Sequence, residues 1–484
     1  MLRVTAVLMA ILASAGAAFA QSVELSDCRI SSGPGSPGIK ARCGTLLRPL
    51  DPAGAVPGEI ELKIAVVPAL NLTPEPDPFV PIAGGPGQSS VRFYSSYAGN
   101  FEDVRRNRDI VLVDQRGTGD SSAMDCPVDD SLVEGQYSAE LTLEFTSSCL
   151  EQLPADPRFF TTSIAVTDLE AVREALGYPS FNLYGISYGT RVAQHFARRY
   201  PASTRSIVLD GVVPPQIALG PEIATESQRA VNAILARCAG DTACNERFPD
   251  IEEKFRKIVA ELDGSPVTID VPHPDTGRLE NTTFGRGELA IAVRLLAYHP
   301  SSIALLPLLI NEAASGNYVP LGSQYLMTTI AISDALSLGM HNSIMCAEDV
   351  PFFDKTSIDY DSITASYMGI FQLSALEAIC SIWPEGPIDA EFKVPLTTDL
   401  PVLLLSGDAD PITPPRYADM AAVDFSNARH LIGKHQGHGQ LGVGCNRRLV
   451  AAFVDAADPA VIDAECLERS FVMPFFLDFS GPMP

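Results

Sequence analysis

Phe181-Asn182-Leu183-Tyr184-Gly185-Ile186-Ser187-Tyr188-Gly189 decides how this 484-residue chain reads. A short apolar run ends in Gly-x-Ser-x-Gly, and a helical pattern from Thr190 to Tyr200 follows until Pro201 stops it. A sharp strand-to-helix turn has no room for side chains two residues before and two after its serine. It also holds that serine in a strained, exposed conformation. Ser187 is therefore a candidate nucleophile. The same five residues alone would also suit an ordinary Gly-Ser turn, so the surrounding pattern has to decide.

Outward from that segment, Phe79-Val80-Pro81-Ile82, Ile110-Val111-Leu112-Val113 and Ile207-Val208-Leu209 are further strand candidates. Between the second and the Ser187 strand, Ala165, Leu169, Val172 and Leu176 recur at helical spacing, with Ser163 available as a cap and Gly177 just past the end. Strands alternating with helices in this way predict an α/β chain with a mostly parallel sheet. After Asp210 the texture becomes helical, over Ala224–Ala239, Ile251–Leu262, Glu288–Ala297 and Ile303–Ala314, until Pro401-Val402-Leu403-Leu404-Leu405 resumes the sheet. The reading is a core over 21–213, a mainly helical insertion over 214–396 and a return to the core over 397–484.

A serine is a poor nucleophile until a base takes its proton, so an imidazole oriented by a carboxylate must accompany it. Where the serine sits on such an elbow, the acid and then the histidine follow it in the chain. The late strand ends in Ser406-Gly407-Asp408-Ala409-Asp410-Pro411, which offers Asp410, with Asp408 as the alternative. Of the histidines beyond it, His430 opens a strand pattern and reads as structural. His438 lies in the flexible Gln436-Gly437-His438-Gly439 loop and is the candidate base, with His435 as the alternative. Ala83-Gly84-Gly85-Pro86-Gly87 follows an earlier strand. Its glycines let backbone N–H groups approach a developing negative charge, so the Gly85 and Tyr188 N–H groups are the candidate oxyanion donors. A plain glycine turn is the other reading of that loop.

Bulk properties narrow the field. Arg3, the apolar run Val4–Ala17 and Ala18-Phe19-Ala20 read as a signal peptide over residues 1–20, too short to span a bilayer, so an exported protein without a membrane anchor is expected, periplasmic or extracellular. The ten cysteines fall into close couples, Cys28/Cys43, Cys126/Cys149, Cys238/Cys244, Cys346/Cys380 and Cys445/Cys466, and disulfides between sequence neighbours suit an exported chain. No Cys-x-x-Cys or His-Glu-x-x-His spacing points to a metal. A net charge of −25 argues against nucleic acid or an anionic membrane as partner.

Taken together, Ala83–Gly87, Asp114-Gln115-Arg116-Gly117-Thr118-Gly119, Gly185–Gly189, Asp410-Pro411-Ile412-Thr413-Pro414 and Gly437-His438-Gly439 resemble the proline iminopeptidase and tripeptidyl aminopeptidase group of serine peptidases. The resemblance implies an α/β-hydrolase fold with a helical cap, no cofactor, and release of residues from peptide N-termini. It also implies that the C-terminal region is TAP-like and supplies Asp410 and His438. Ala83 stands where that group carries histidine, a departure that bears on the geometry of the oxyanion loop. Asp114 and Arg116 read as ties between loops. Recognition of a substrate amine needs a carboxylate facing the cap. Cys346-Ala347-Glu348-Asp349 resembles a segment of the family, making Glu348 the candidate and Asp349 the reserve, with a solvated acidic pair beside a disulfide as the other reading. Trp383, Phe352 and Phe353 are pocket candidates, although aromatics in caps are more often core. The same triad would serve an esterase or amidase acting on small acyl substrates, and a hydrolase scaffold can also carry a non-catalytic binding protein.

Overall fold

The computed structural model describes residues 22–126 and 139–481; the expected signal peptide lies outside them. Eleven strands form among these residues: β1 (Ser26–Ile30), β2 (Ile39–Pro49), β3 (Glu59–Val67), β4 (Phe79–Ile82), β5 (Ile110–Val113), β6 (Phe181–Ile186), β7 (Thr204–Asp210), β8 (Val267–Pro272), β9 (Leu279–Phe284), β10 (Val402–Gly407) and β11 (Ala428–Gly433). Nine make one sheet in the order β1-β2-β3-β5-β4-β6-β7-β10-β11. From β5 to β11 every pairing is parallel, and β1 to β3 add an antiparallel edge. This is the α/β-hydrolase fold.

The parallel strands inside the sheet, β4 to β7 and β10, are buried on both faces, which is why they read as apolar runs, whereas the edge strand β11 is half-exposed. Alternation sorts them between two cores. Val80, Ile82, Leu183, Ile207, Leu209, Val402 and Leu404 face one core. Phe79, Tyr184, Val208, Leu403 and Leu405 face the other. The helices Thr162–Leu176 and Tyr188–Arg199 cover the first face, and Ser90–Tyr97 and Asn446–Ala456 cover the second. Gly177 ends its helix in the left-handed region, φ 75°. The N-cap of that helix is Thr161; Ser163 lies inside it and its hydroxyl instead accepts the Asp389 N–H at 2.9 Å.

Between β7 and β10 the chain runs mainly through helices, including Ile223–Gly240, Ile251–Gly264, Arg286–Leu296, Leu306–Ala314 and Val319–Ala335, around a third core. One element departs from the helical reading. β8 and β9 form an antiparallel hairpin that packs on the Val319–Ala335 helix. Gly322 makes the approach possible, since a Cβ there would lie 2.4 Å from Ile269 Cδ1. β1 to β3, the antiparallel edge, were also outside the strands read from the sequence.

Five disulfides join Cys28–Cys43, Cys126–Cys149, Cys238–Cys244, Cys346–Cys380 and Cys445–Cys466, each between sequence neighbours. Trp383 packs on Cys346 and Cys126 and donates to Ser343 Oγ at 3.3 Å, so it is core. Phe353 is also buried in the third core, whereas Phe352 is exposed beside Lys393.

Asp114 and Arg116 tie loops together as read. Asp114 accepts from Ser89 Oγ (2.7 Å), the Val91 N–H (3.0 Å) and the Asp120 N–H (3.2 Å), fixing the start of the helix that follows the Gly84–Gly87 loop. Arg116 is wholly buried, paired with Asp168 at 2.6 and 2.9 Å and donating to the Leu50 and Phe159 carbonyls. A buried guanidinium left without its carboxylate is strongly unfavourable. Asp168→Ala is therefore expected to cost about 3–5 kcal/mol, read as a lower urea midpoint at unchanged slope.

Candidate active site

Ser187 occupies the turn between β6 and its helix with φ 55° and ψ −126°, a strained conformation held by the surrounding chain. Its N–H donates to the Asp210 carbonyl at 2.9 Å. The flanking glycines are sterically required. A Cβ on Gly185 would lie 2.2 Å from the Gly189 carbonyl oxygen, and one on Gly189 would lie 2.3 Å from that of Ile82. Tyr188 opens the helix, so its N–H has no preceding helical carbonyl to bond.

The Gly84–Gly87 loop lies directly against the serine. A Cβ on Gly84 would fall 2.9 Å from Ser187 Cβ and 3.5 Å from its Oγ. The Gly85 N–H donates to no other described residue. The loop is held from several directions. Ser90 Oγ accepts the Ala83 N–H (3.2 Å), the Ser337 N–H donates to Gly87 (3.0 Å), and His341 Nδ1 donates to the Pro86 carbonyl (3.3 Å).

On the far side, His438 Nδ1 donates to Asp410 Oδ2 at 2.7 Å. Asp410 is fully buried, and its other oxygen accepts the Ile412 and Thr413 N–H groups at 2.8 and 2.9 Å. Asp408 does something different, accepting the His435 backbone N–H at 2.6 Å and shaping the turn. His430 bonds Ser406 and Asp419 from within β11. Burial alone would drive the His438 pKa down, but the charge and hydrogen bond of Asp410, with Asp210 behind it, leave it raised. Burial works against an ionised Asp410 as well, and the imidazole and the N–H groups overcome it, so its pKa is lowered.

Three groups that the sequence reading passed over complete the frame. Asp210, at the end of β7 and wholly buried, accepts from the Gln440 N–H (2.7 and 2.9 Å), the Leu441 N–H (2.9 Å) and Tyr184 Oη (2.9 Å). Burial outweighs those bonds and pushes its pKa up to about 6. Gly211 follows with φ 65°, and a Cβ there would lie 2.9 Å from His438 Cε1, so β7 ends against the imidazole. Tyr298, in the helical region, accepts the His438 N–H through its carbonyl at 2.7 Å and sets its ring edge-on to the imidazole at 5.0 Å. The available signal for Asp210 was an acid at the carboxyl end of a strand beside that of Ser187. Tyr298 carried none, because the bond uses its backbone.

The expectation of an amine anchor at Glu348 and Asp349 is corrected by this geometry. Both are wholly buried. Asp349 is taken up by Arg191 (2.9 Å twice), Lys393 (3.3 Å) and the Leu219 N–H (2.8 Å). Glu348 accepts the Thr162 N–H (2.6 Å) and Oγ1 (2.9 Å), and Thr162 Oγ1 in turn bonds Tyr188 Oη at 2.5 Å. Burial raises the Glu348 pKa to about 7 despite Arg191. Glu348 braces, through Thr162, the side chain of the residue after Ser187, and Asp349 is held by Arg191 and Lys393, so both carboxylates of this pair are already engaged.

The environment of His438 can be read directly. In a histidine NMR titration, His438 should titrate above the ordinary 6.5. Asp410→Asn removes the charge that raises it and should bring it below that value, whereas Asp408→Asn should leave it high. The opposite pattern would reassign the orienting acid.

Residues 77–244 match the alpha/beta hydrolase fold family and residues 365–466 match the TAP-like protein family. Serine protease Hip1 of Mycobacterium tuberculosis is 27% identical over 463 residues, covering 84% of this chain and 82% of that protein. The putative hydrolase YuaR of Escherichia coli is 30% identical over 198 residues, 39% of this chain and 40% of its own length. Tripeptidyl aminopeptidase of Streptomyces lividans is 29% identical over 148 residues, 27% of this chain and 28% of its own. With the sheet order and the elbow already described, these matches show a hydrolase of α/β-hydrolase fold whose C-terminal region is similar to the TAP-like family.

Proposed function

We propose that this chain is an exported serine peptidase that releases amino acids or short peptides from free N-termini through an acyl-enzyme on Ser187. The observation that carries the reading is the 2.7 Å Asp410–His438 bond on a loop held to the serine's own neighbour, Asp210. The names of the relatives, serine protease and tripeptidyl aminopeptidase, support a peptide as substrate. The disulfides support export.

In this mechanism His438 takes the Ser187 proton as Oγ attacks the scissile carbonyl carbon. The Gly85 and Tyr188 N–H groups receive the oxyanion. His438 then hands the proton to the leaving nitrogen as the C–N bond breaks, and water repeats the sequence to free the acid. Asp410 stays ionised throughout and orients the ring. The region 214–396 acts as a cap that limits which chain ends reach the serine. The closed Glu348–Asp349 pair favours one second reading, an esterase or amidase for small acyl substrates, because that chemistry needs no amine anchor.

Amino-acyl arylamides, their N-blocked forms and simple acyl esters separate the two. Cleavage confined to free amines supports the exopeptidase; equal rates on blocked substrates would defeat it. Ser187→Ala should abolish fluorophosphonate labelling and lower kcat by several orders of magnitude, about 10⁴ or more. Because His438 must be neutral to accept a proton and its pKa is raised, activity should fall as pH drops, along an acid limb of kcat/KM lying above 6.5. An acid limb well below that value would contradict the His438–Asp410 pairing.

A further inference from the structure

Arg294 lies on the helix Arg286–Leu296, one turn before Tyr298. Its Nη2 donates to Tyr298 Oη at 3.3 Å, and that ring stands edge-on to the His438 imidazole. Its Nε is shielded from solvent and has no hydrogen-bond partner among the described residues. No described carboxylate forms an ion pair with it. The acid on its own helix, Glu288, is occupied at the other end by the Gly285 N–H at 2.8 Å. Asp210 and Asp410 are bonded to the His438 loop and ring. The guanidinium's charge reaches both His438 and His341, disfavouring the protonated form of each. One of those imidazoles is paired with Asp410 and the other props the Gly84–Gly87 loop. Arg294 is thus a part-buried cation with no ion-pair partner among the described residues, bonded to the ring that stands against His438.

A guanidinium presents a planar fork of donors that matches a carboxylate, and such pairs are strongest where water is partly excluded. The histidine of a serine hydrolase stands beside the leaving group, to which it gives its proton. A cation attached to the histidine side therefore meets the substrate residue just beyond the scissile bond. We propose that Arg294 binds a substrate carboxylate on the leaving-group side of the site. The substrate class is then a peptide whose residue after the cleaved bond carries a carboxylate, either the chain terminus or an acidic side chain. This rests on the reading that Ser187 is acylated and His438 protonates the leaving group. With a net charge of −25 the chain repels anions at long range, so such a preference has to come from a local cation.

The test compares three free-amine substrates sharing one acyl residue: X-Ala with a free carboxyl terminus, X-Ala amide and X-Asp amide. The wild-type enzyme should show kcat/KM at least roughly tenfold higher for one or both carboxylate-bearing substrates than for X-Ala amide. The first arm reports a terminal carboxylate and the third a side chain. In Arg294→Gln that ratio should collapse to about one, and Arg294→Lys should restore part of it. No carboxylate preference in the wild type, or one that survives Arg294→Gln, overturns the proposal. Should Arg294→Gln not fold, the wild type alone answers: N-acetylalanine must inhibit cleavage of X-Ala amide more strongly than N-acetylalaninamide, and equal inhibition overturns the assignment. If no peptide is cleaved, the peptidase reading has failed separately. The same comparison then runs with X-lactate and X-lactamide esters, whose leaving groups differ only in the carboxylate.

Discussion

The site depends on the parallel register between β6 and β7, which pairs Ile186 with Asp210 and lets the Ser187 N–H donate to the Asp210 carbonyl. One residue then serves both sides. Its backbone holds the strained serine, and its carboxylate collects the Gln440 and Leu441 N–H groups two and three residues beyond His438. Serine and imidazole arrive from positions far apart in the chain, yet both are referred to the same buried acid. Its raised pKa records how costly that burial is even with four hydrogen bonds.

Close backbone approach is the second constraint. Gly185 and Gly189 are forced by carbonyl oxygens of the elbow itself and of β4, Gly84 by the serine, and Gly211 by the imidazole. Each brings main chain to within van der Waals distance of a reacting group or of the turn that carries one. The glycines are therefore the means by which separate stretches of main chain come close around one serine and one imidazole.

Much of this was legible beforehand, for physical reasons. Strands buried on both faces advertise themselves as apolar runs, and β4 to β7 and β10 were found that way; the edge strand β11 is half-exposed and showed only as the short pattern around His430. The elbow's glycines carry a steric signature, and Asp410 and His438 sit in loops directly after strands. β1 to β3 were missed because they form an antiparallel edge with mixed exposure. β8 alternates Val267, Ile269 and Val271 with exposed residues, but it is short and lies among helices, and its partner β9, with Glu, Asn and Thr, has no clean alternation. Glu348 and Asp349 were misread since a carboxylate's partners, here Thr162, Arg191 and Lys393, lie far away in sequence and burial cannot be seen in a dipeptide. Tyr298 and His341 act on backbone atoms or from a distant helix, and nothing local marks them.

The helical region between β7 and β10 is bonded to both working sides of the serine: the Tyr298 carbonyl holds the His438 N–H, and Ser337 holds Gly87. Lifting that region as a rigid flap would sever both bonds and leave imidazole and glycine loop unsupported at once. The supports of the imidazole and of the glycine loop are thus coupled through one piece of chain, and a shift of that piece disturbs both sides of the serine together.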